Sequence, residues 1–533
     1  MRSRLSELFR RPVFLLALVA FLVAIVVQSG DLGSSDTMHR LQAAHSFWTS
    51  EPAVFPNEYP EFGVHGRGGK LYGWYGIGQS LLMFPFDVIG TYLERIPVLS
   101  TYQDDPDVRV MFVCFCVNTL LSVLTALVCF RLLRLFEFTV NQAIAGVLGL
   151  LFCTTHLHYT QNMMENNYIM LLTLSGLAFQ YDWLRSGNRR SLLVGSAALG
   201  LNLLTRLTTG MDLVAVGIFL LLVSWFTGVR GRALLDRAVS YVKVVAPVYG
   251  VFLLLDRGYQ FYRFGSWLNT YLSVFAAERR MLDPTLPANY PFETPFRVGF
   301  FGALLQPEKS IFLFDPLLIL TAIVSVIVWK RFGPEIKAYI CALSLLLLVY
   351  ITFYARYTVW SGDFAWGDRY VSTTAELVAC ISVPLLMRYR AHVGRVVRAL
   401  GIALVAASAA IQLASLAFWV PLEIYQMETL GHPTFVIALR FENIAAFALG
   451  KMQAWGLTNY AMKWDDWDYA HISTWNFLPF VLKRVGAVPP WVVHTTMVLW
   501  ILCIVALVAL LATIFRRAVR RDFEVNSNVS ASA

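Results

Sequence analysis

Charge is scarce in this sequence. Lys, Arg, Asp and Glu make up 14% of its 533 residues, against the roughly 25% usual in soluble domains, which excludes a string of water-soluble domains. Cysteine is too sparse and too apolar in its setting to build a scaffold. All seven, Cys114, Cys116, Cys129, Cys153, Cys341, Cys380 and Cys503, lie inside or at the edge of apolar segments, so neither a disulfide framework nor a zinc site is indicated. An internal repeat with a period of roughly 20–50 residues is missing, which excludes a solenoid or propeller. The Gly-rich stretch around Gly76 and Gly78 has no strand before it, so it is not a dinucleotide-binding turn.

Apolar sequence dominates instead, at 57% hydrophobic residues with a mean hydropathy of +0.59. The apolar runs recur with short gaps, and a span needs about 20 residues. The expectation is an all-α, polytopic transmembrane helical bundle of about twelve spans, near 12–29, 108–134, 139–156, 165–184, 190–206, 211–228, 238–256, 311–330, 336–354, 372–388, 395–420 and 491–515. The basic start and the apolar run from Val13 to Val27 read as an uncleaved first span, because no small-residue cleavage motif follows. GQSLLMFPFDVIGTYL is short and contains proline, so it is expected to lie along the membrane interface.

The net charge of +9 sits in short clusters between apolar runs, not on one basic face, and so reports topology and not nucleic-acid binding. RLLRLFEF, RSGNRR, GVRGRALLDR, WKRFGPEIK and RYRAHVGRVVR alternate with acidic and aromatic connections. By the positive-inside rule they are cytoplasmic together with both termini. A multi-pass protein of the cell (inner) membrane follows, with three regions: a core of 1–420 that includes an outer loop 30–107, an extracytoplasmic segment 421–490, and a last span with a cytoplasmic tail, 491–533. The tail NSNVSASA is read as a disordered terminus.

Five outer constellations offer chemistry. Asp36, with His39, Arg40 and His45 downstream on a helix, is a candidate base; the plain alternative is a helix cap at Ser35 or Asp36. Glu165 stands at the mouth of the fourth span, as a partner of Asp36 or as a helix-start acid favoured by the dipole. Arg206, in LNLLTRLTTGMD, needs an anion, either a lipid phosphate or Asp212. GKLYGWYGIGQSLL supplies Lys70, Tyr72, Trp74 and Tyr75, with glycines that allow close backbone approach. ARYTVWSGDFAWGDRY crowds Arg356, Trp360, Asp363, Trp366, Asp368 and Arg369 into one turn suited to a phosphate and a polyhydroxyl ligand.

In this order the pieces resemble the bacterial membrane glycosyltransferases of the GT-C superfamily, the group containing protein O-mannosyltransferases and aminoarabinose transferases. Asp36, Tyr72 to Leu82, Glu165 and Thr205-Arg206 look like the family's outer acid, aromatic and glycine segment, second acid and Thr-Arg pair. FGSWLNTYL, GALLQPEKSIFLFDP and WGDRY continue the likeness over most of residues 1–420. Gly76-Ile77 departs from paired prolines, as do Gln306 and Asp315 from the usual residues at their positions.

The resemblance implies a GT-C fold and transfer of a sugar from a polyprenyl-phosphate donor to a hydroxyl of a glycan, lipid or protein acceptor, outside the bilayer and with inversion. Asp36 would be the base, assisted by Glu165. Lys70, Tyr72, Tyr75, Arg206, Arg356, Trp366, Asp368 and Arg369 would bind substrate. Any divalent metal ion would sit at Asp36 and Glu165. A transporter or lipid flippase, or a membrane polysaccharide polymerase or ligase, is the alternative, and the transporter reading calls for charges deep inside spans.

Overall fold

The computed structural model describes residues 12–56, 63–97, 99, 106–363, 365–419, 421–428, 431–451, 463–464, 467–468, 474–484 and 488–531. It is 73% helix and 1% strand. Among the described residues the strands form two small antiparallel pairs, Gly63–His65 with Leu71–Gly73 and Lys463–Trp464 with Trp467–Asp468. The basic start of the chain and most of 452–473 lie outside the described residues.

Six helices among the described residues are long and apolar enough to cross a membrane: Val108–Leu135, Leu207–Phe226, Gly231–Phe264, Pro334–Tyr354, Arg395–Ser415 and Pro490–Ala518. Several of these turn their apolar sides outward. Leu253, Leu254 and Leu255 of Gly231–Phe264 are exposed to 47%, 66% and 55%, a surface that lipid covers and water does not tolerate. The architecture is consistent with a multi-pass membrane protein.

The remaining expected spans are shorter or broken, and the breaks have local causes. Pro12–Val27 has 16 residues and Val140–Cys153 has 14, so the longer reaches about 24 Å at 1.5 Å per residue, less than a hydrocarbon core of about 30 Å. Asn166–Ser186 is long enough but carries Gln180, Asp182 and Arg185. The stretch 311–330 splits into Ile311–Phe314 and Leu317–Val328 at Pro316. The stretch 372–388 splits into Ser372–Ala379 and Ser382–Arg388, because Pro384 has no N–H to give the Cys380 carbonyl. The final helix continues to Ala531, so the backbone of the tail is helical through that residue where the composition predicted disorder.

Capping residues set several of the long elements. Asp107 accepts from the Val110 amide (2.6 Å) at the start of Val108–Leu135. Thr139 and Gln142 form a reciprocal capping box before Val140–Cys153, and Gly187, at φ 73°, ends Asn166–Ser186.

The packing brings distant segments to one end of the bundle. A core of Leu32, Leu41, Met83, Val113, Val117 and Met163 seats the helices Ser35–His45 and Gly78–Glu94 on Val108–Leu135 and Asn166–Ser186. Below Ser35, Gln28 donates to the Thr160 carbonyl (2.6 Å), and Gln161 donates to the carbonyls of Val27 (2.9 Å) and Asn476 (2.6 Å). The end of the first helix is thereby fixed to His156–Gln161, the short helix that leads to Glu165.

Candidate functional site

Backbone pairing makes Asp36 and Glu165 neighbours. The Met163 amide donates to the Leu32 carbonyl (3.0 Å), and the Thr37 hydroxyl donates to the Met163 carbonyl. The cap of Ser35–His45 is Ser34, whose hydroxyl accepts from the Thr37 amide (3.2 Å). Asp36 is therefore free of capping duty and lies in the first turn. Arg40 follows one turn later on the same face.

These side chains form one ionic cluster. Asp36 Oδ1 accepts from the Tyr75 hydroxyl at 2.7 Å, and Oδ2 from Arg369 Nη1 at 2.6 Å. Arg40 Nη2 lies 2.7 Å from Glu165 Oε2, with its guanidinium 4.1 Å over the Tyr75 ring. Arg206 pairs with the other oxygen of Glu165 and covers the Tyr370 ring at 5.0 Å. Tyr370 in turn stacks on Tyr354 at 4.3 Å. Burial alone would raise the Asp36 carboxyl, but Arg369, Arg40 and the Tyr75 hydroxyl together hold it well below the usual carboxylate range.

The glycine motif positions this cluster by touching protein backbone. The Gly78 amide donates to the Leu204 carbonyl at 2.9 Å. A Cβ on Gly76 would fall 2.2 Å from the Leu204 oxygen and 2.4 Å from the Thr205 oxygen. Glycine is needed here so that the Tyr75 loop can lie flat on the Thr205-Arg206 turn, a contact the sequence had suggested for a ligand. Gly76→Ala is expected to push the Tyr75 loop off the Leu204-Thr205 backbone and to destabilise the protein by about 1–3 kcal/mol, the usual cost of overpacking. Thermal unfolding of the purified variant checks this, and unchanged stability would refute the contact.

Arg369 is held by a braced turn. Lys309 Nζ donates to the carbonyls of Asp363 (2.6 Å), Ala365 (2.9 Å) and Gly367 (3.3 Å). Asn166 Nδ2 donates to the Arg369 carbonyl at 2.7 Å. Trp366 is fully buried against His158 and Phe314, under the Arg440 guanidinium. Burial pushes the Asp368 carboxyl up to about 7, against hydrogen bonding from the Tyr370 amide and the charges of Lys309 and Arg369. Burial draws the Lys309 ammonium down to about 8.

Of the residues singled out in the sequence, Asp36 meets Tyr75 and Arg369 directly and Glu165 meets Arg206, the two groups being bridged by Arg40 and Tyr370. Trp366 and Asp368 stand behind them and support the turn. Lys70 and Arg356 are exposed, and Tyr72 packs its ring against Tyr262 and Phe264. The Arg206–Asp212 pair does not form: Asp212 accepts from Thr173 (2.7 Å) and Tyr350 (2.9 Å), and Glu165 takes Arg206. Arg40, Lys309 and Tyr370 join the site without having been selected as site residues. Arg40 alone left a clear signal, its four-residue spacing from Asp36.

The arrangement favours an anion. Three guanidiniums face two carboxylates, an excess of one positive charge, and Arg40 Nη1 and Arg369 Nε are buried without a hydrogen-bond partner among the described residues. Arg206, Arg369 and Tyr370, with Thr373, Thr374, Tyr350 and Asp212, also line a narrow cavity of about 10 Å³, room for roughly one water. As arranged, the two carboxylates do not fit a divalent cation, since each is already engaged by arginine. No group of three or more metal-ligating side chains occurs among the described residues.

The fold and this cluster together describe a helical, multi-pass type of membrane protein with a buried arginine-carboxylate site at one end. Comparison with protein-family models and with curated proteins gave no match.

Proposed function

We propose that the protein is an integral-membrane glycosyltransferase that moves a sugar from a polyprenyl-phosphate donor to an acceptor hydroxyl. The observation that carries this reading is the ionised Asp36 set among Arg369, Arg40 and Arg206. In the reaction the acceptor oxygen attacks the anomeric carbon and its proton passes to Asp36. The bond from that carbon to the phosphate oxygen breaks, and its electron pair leaves on the phosphate. Phosphate is already a competent leaving group, so one base and cationic stabilisation suffice.

The Asp36–Arg369 pair suits both halves of that reaction. A carboxylate held far below its usual range is a weak base. A donor phosphate that draws Arg369 toward itself loosens this hold, so Asp36 becomes more basic when the leaving group is in place. The reading also takes up the twelve-span topology, with both termini cytoplasmic and the site on the opposite face.

Transfer of labelled sugar from a polyprenyl-phosphate donor by the purified protein tests it. Arg206→Ala and Arg369→Ala are each expected to weaken donor binding by about 10-fold or more, a lost charge-assisted hydrogen bond being worth about 1.5–3 kcal/mol. Unchanged donor affinity in both would remove them from the phosphate site.

One observation favours a transporter as the second reading: carboxylates buried at breaks in apolar helices, Asp315 and Glu376. Proton-coupled solute uptake in proteoliposomes would establish it, and none is expected.

A further inference from the structure

Away from the ionic cluster, a second polar group is buried where three apolar stretches are interrupted. Thr155 and His156 lie between Val140–Cys153 and Gln161, Asp315 lies just before Pro316, and Glu376 belongs to Ser372–Ala379. All four side chains are buried, and those of Glu376 and His156 have no exposure. Among the described residues, neither Asp315 nor Glu376 forms an ion pair with Lys or Arg. Glu376 has only His156, whose Nδ1 is 3.9 Å from Oε2.

Counting protons constrains this group. The Thr155 amide donates to Asp315 Oδ1 at 2.8 Å. The Thr155 hydroxyl lies 3.0 Å from Asp315 Oδ2 and 2.8 Å from Glu376 Oε1. A hydroxyl has one proton to give and lone pairs to accept, so it cannot donate to two ionised carboxylates at once. One of the two short contacts needs a proton from a carboxyl group. Two carboxylates sharing one proton is also the arrangement that like charges at this separation enforce.

The assignment follows from the remaining contacts. Asp315 already accepts the Thr155 amide, which favours its charged form. Glu376 Oε2 has no hydrogen-bond partner among the described residues. The other titratable groups near Glu376 are Tyr159, on the helix His156–Gln161, and Cys380, which touches Tyr339 of Pro334–Tyr354. Neither supplies a positive charge.

We infer that Glu376, Thr155 and Asp315 form a buried proton-binding site, in which neutral Glu376 donates from Oε1 to the Thr155 hydroxyl and that hydroxyl donates to the Asp315 carboxylate. Shifting both protons together, Glu376 to Thr155 and Thr155 to Asp315, moves the neutral acid from one residue to the other with no net gain or loss. His156 stands 3.9 Å from the far oxygen, beyond hydrogen-bond reach. The site also fastens three segments that lead to the ionic cluster: His156–Gln161 runs on to Glu165, Ser372–Ala379 follows Arg369, and Asp315 follows Lys309. The inference is independent of the transfer reading and holds for a transporter as well.

Infrared spectroscopy of the purified full chain in lipid tests it. The expected result is a carbonyl stretch of a neutral carboxylic acid that persists at alkaline pH, where Asp368 is ionised, and is lost in Glu376→Gln. Glutamine keeps a donor toward Thr155, so that variant should unfold at nearly the wild-type temperature. A wild-type spectrum without this absorption at alkaline pH would overturn the site outright, whatever the variants do. Absorption that survives in Glu376→Gln and disappears in Asp315→Asn would overturn the assignment of the proton to Glu376.

Discussion

Asp36→Asn is expected to lower sugar transfer by about 10²–10⁴-fold, the range for loss of a positioned general base, in a protein that still folds. Asparagine has the same shape and can still accept from Tyr75 through its carbonyl, so the helix Ser35–His45 and its Ser34 cap lose nothing. What it loses is the negative charge beside Arg369 and the acceptor for Arg369 Nη1, because the amide nitrogen that replaces Oδ2 cannot accept. Gel filtration and thermal unfolding check the fold, and single-turnover transfer from a polyprenyl-phosphate sugar checks the chemistry. Full activity in the variant would take Asp36 out of the role of base.

The pH dependence sharpens the same test. The folded Asp36 carboxyl is depressed below its ordinary value, so its contribution to stability is fully present above that ordinary value. It is lost only as pH falls through the folded value, in strongly acid solution. Asp36 thus stays ionised across the neutral range in the unliganded protein, so a limb near neutrality in the kcat/KM profile, which reports the free enzyme, belongs to another group. Asp368, pushed up to about 7 by burial, and its neighbour Lys309, drawn down to about 8, are the candidates. Asp368→Asn should remove the part of such a limb that lies near 7, where Asp36→Asn lowers the rate itself by about 10²–10⁴-fold.

The parts of this site that sequence could supply are those carried by local pattern. Asp36, the glycine segment, Glu165 just before Asn166–Ser186 and the WGDRY turn could each be found one at a time. Their pairing could not, because Arg206 had an acid six residues away in Asp212 and took Glu165 forty-one residues back. Lys70 and Arg356 show the same limit from the other side: both lie within a few residues of site side chains in sequence and are solvent-exposed in space. Hydropathy identified apolar stretches well but averaged over Pro316 and Pro384, whose missing N–H groups break two of them. Those breaks put Asp315 and Glu376 together, which no spacing in the sequence announces.

Glu165→Gln is expected to destabilise the protein by about 3–5 kcal/mol, more than any single change at Asp36. Removing one partner from a buried ion pair leaves the other charge uncompensated, and here two charges are left, on Arg40 and Arg206. The side chains of Glu165 and Arg40 are 3% and 5% exposed, so water does little to solvate what remains. Arg369 adds a third positive charge nearby, whose ion-pair partner among the described residues is Asp36. Combining Glu165→Gln with Arg206→Met removes one orphaned charge together with the acid, so the double variant should recover about 0.5–3 kcal/mol relative to the sum of the single changes. Thermal unfolding of the four proteins in one lipid measures that coupling. Strict additivity would show that Glu165 and Arg206 do not depend on each other. An unchanged unfolding temperature in Glu165→Gln, with transfer lost, would instead make Glu165 a participant in the chemistry and not the counter-charge that assembles the arginines.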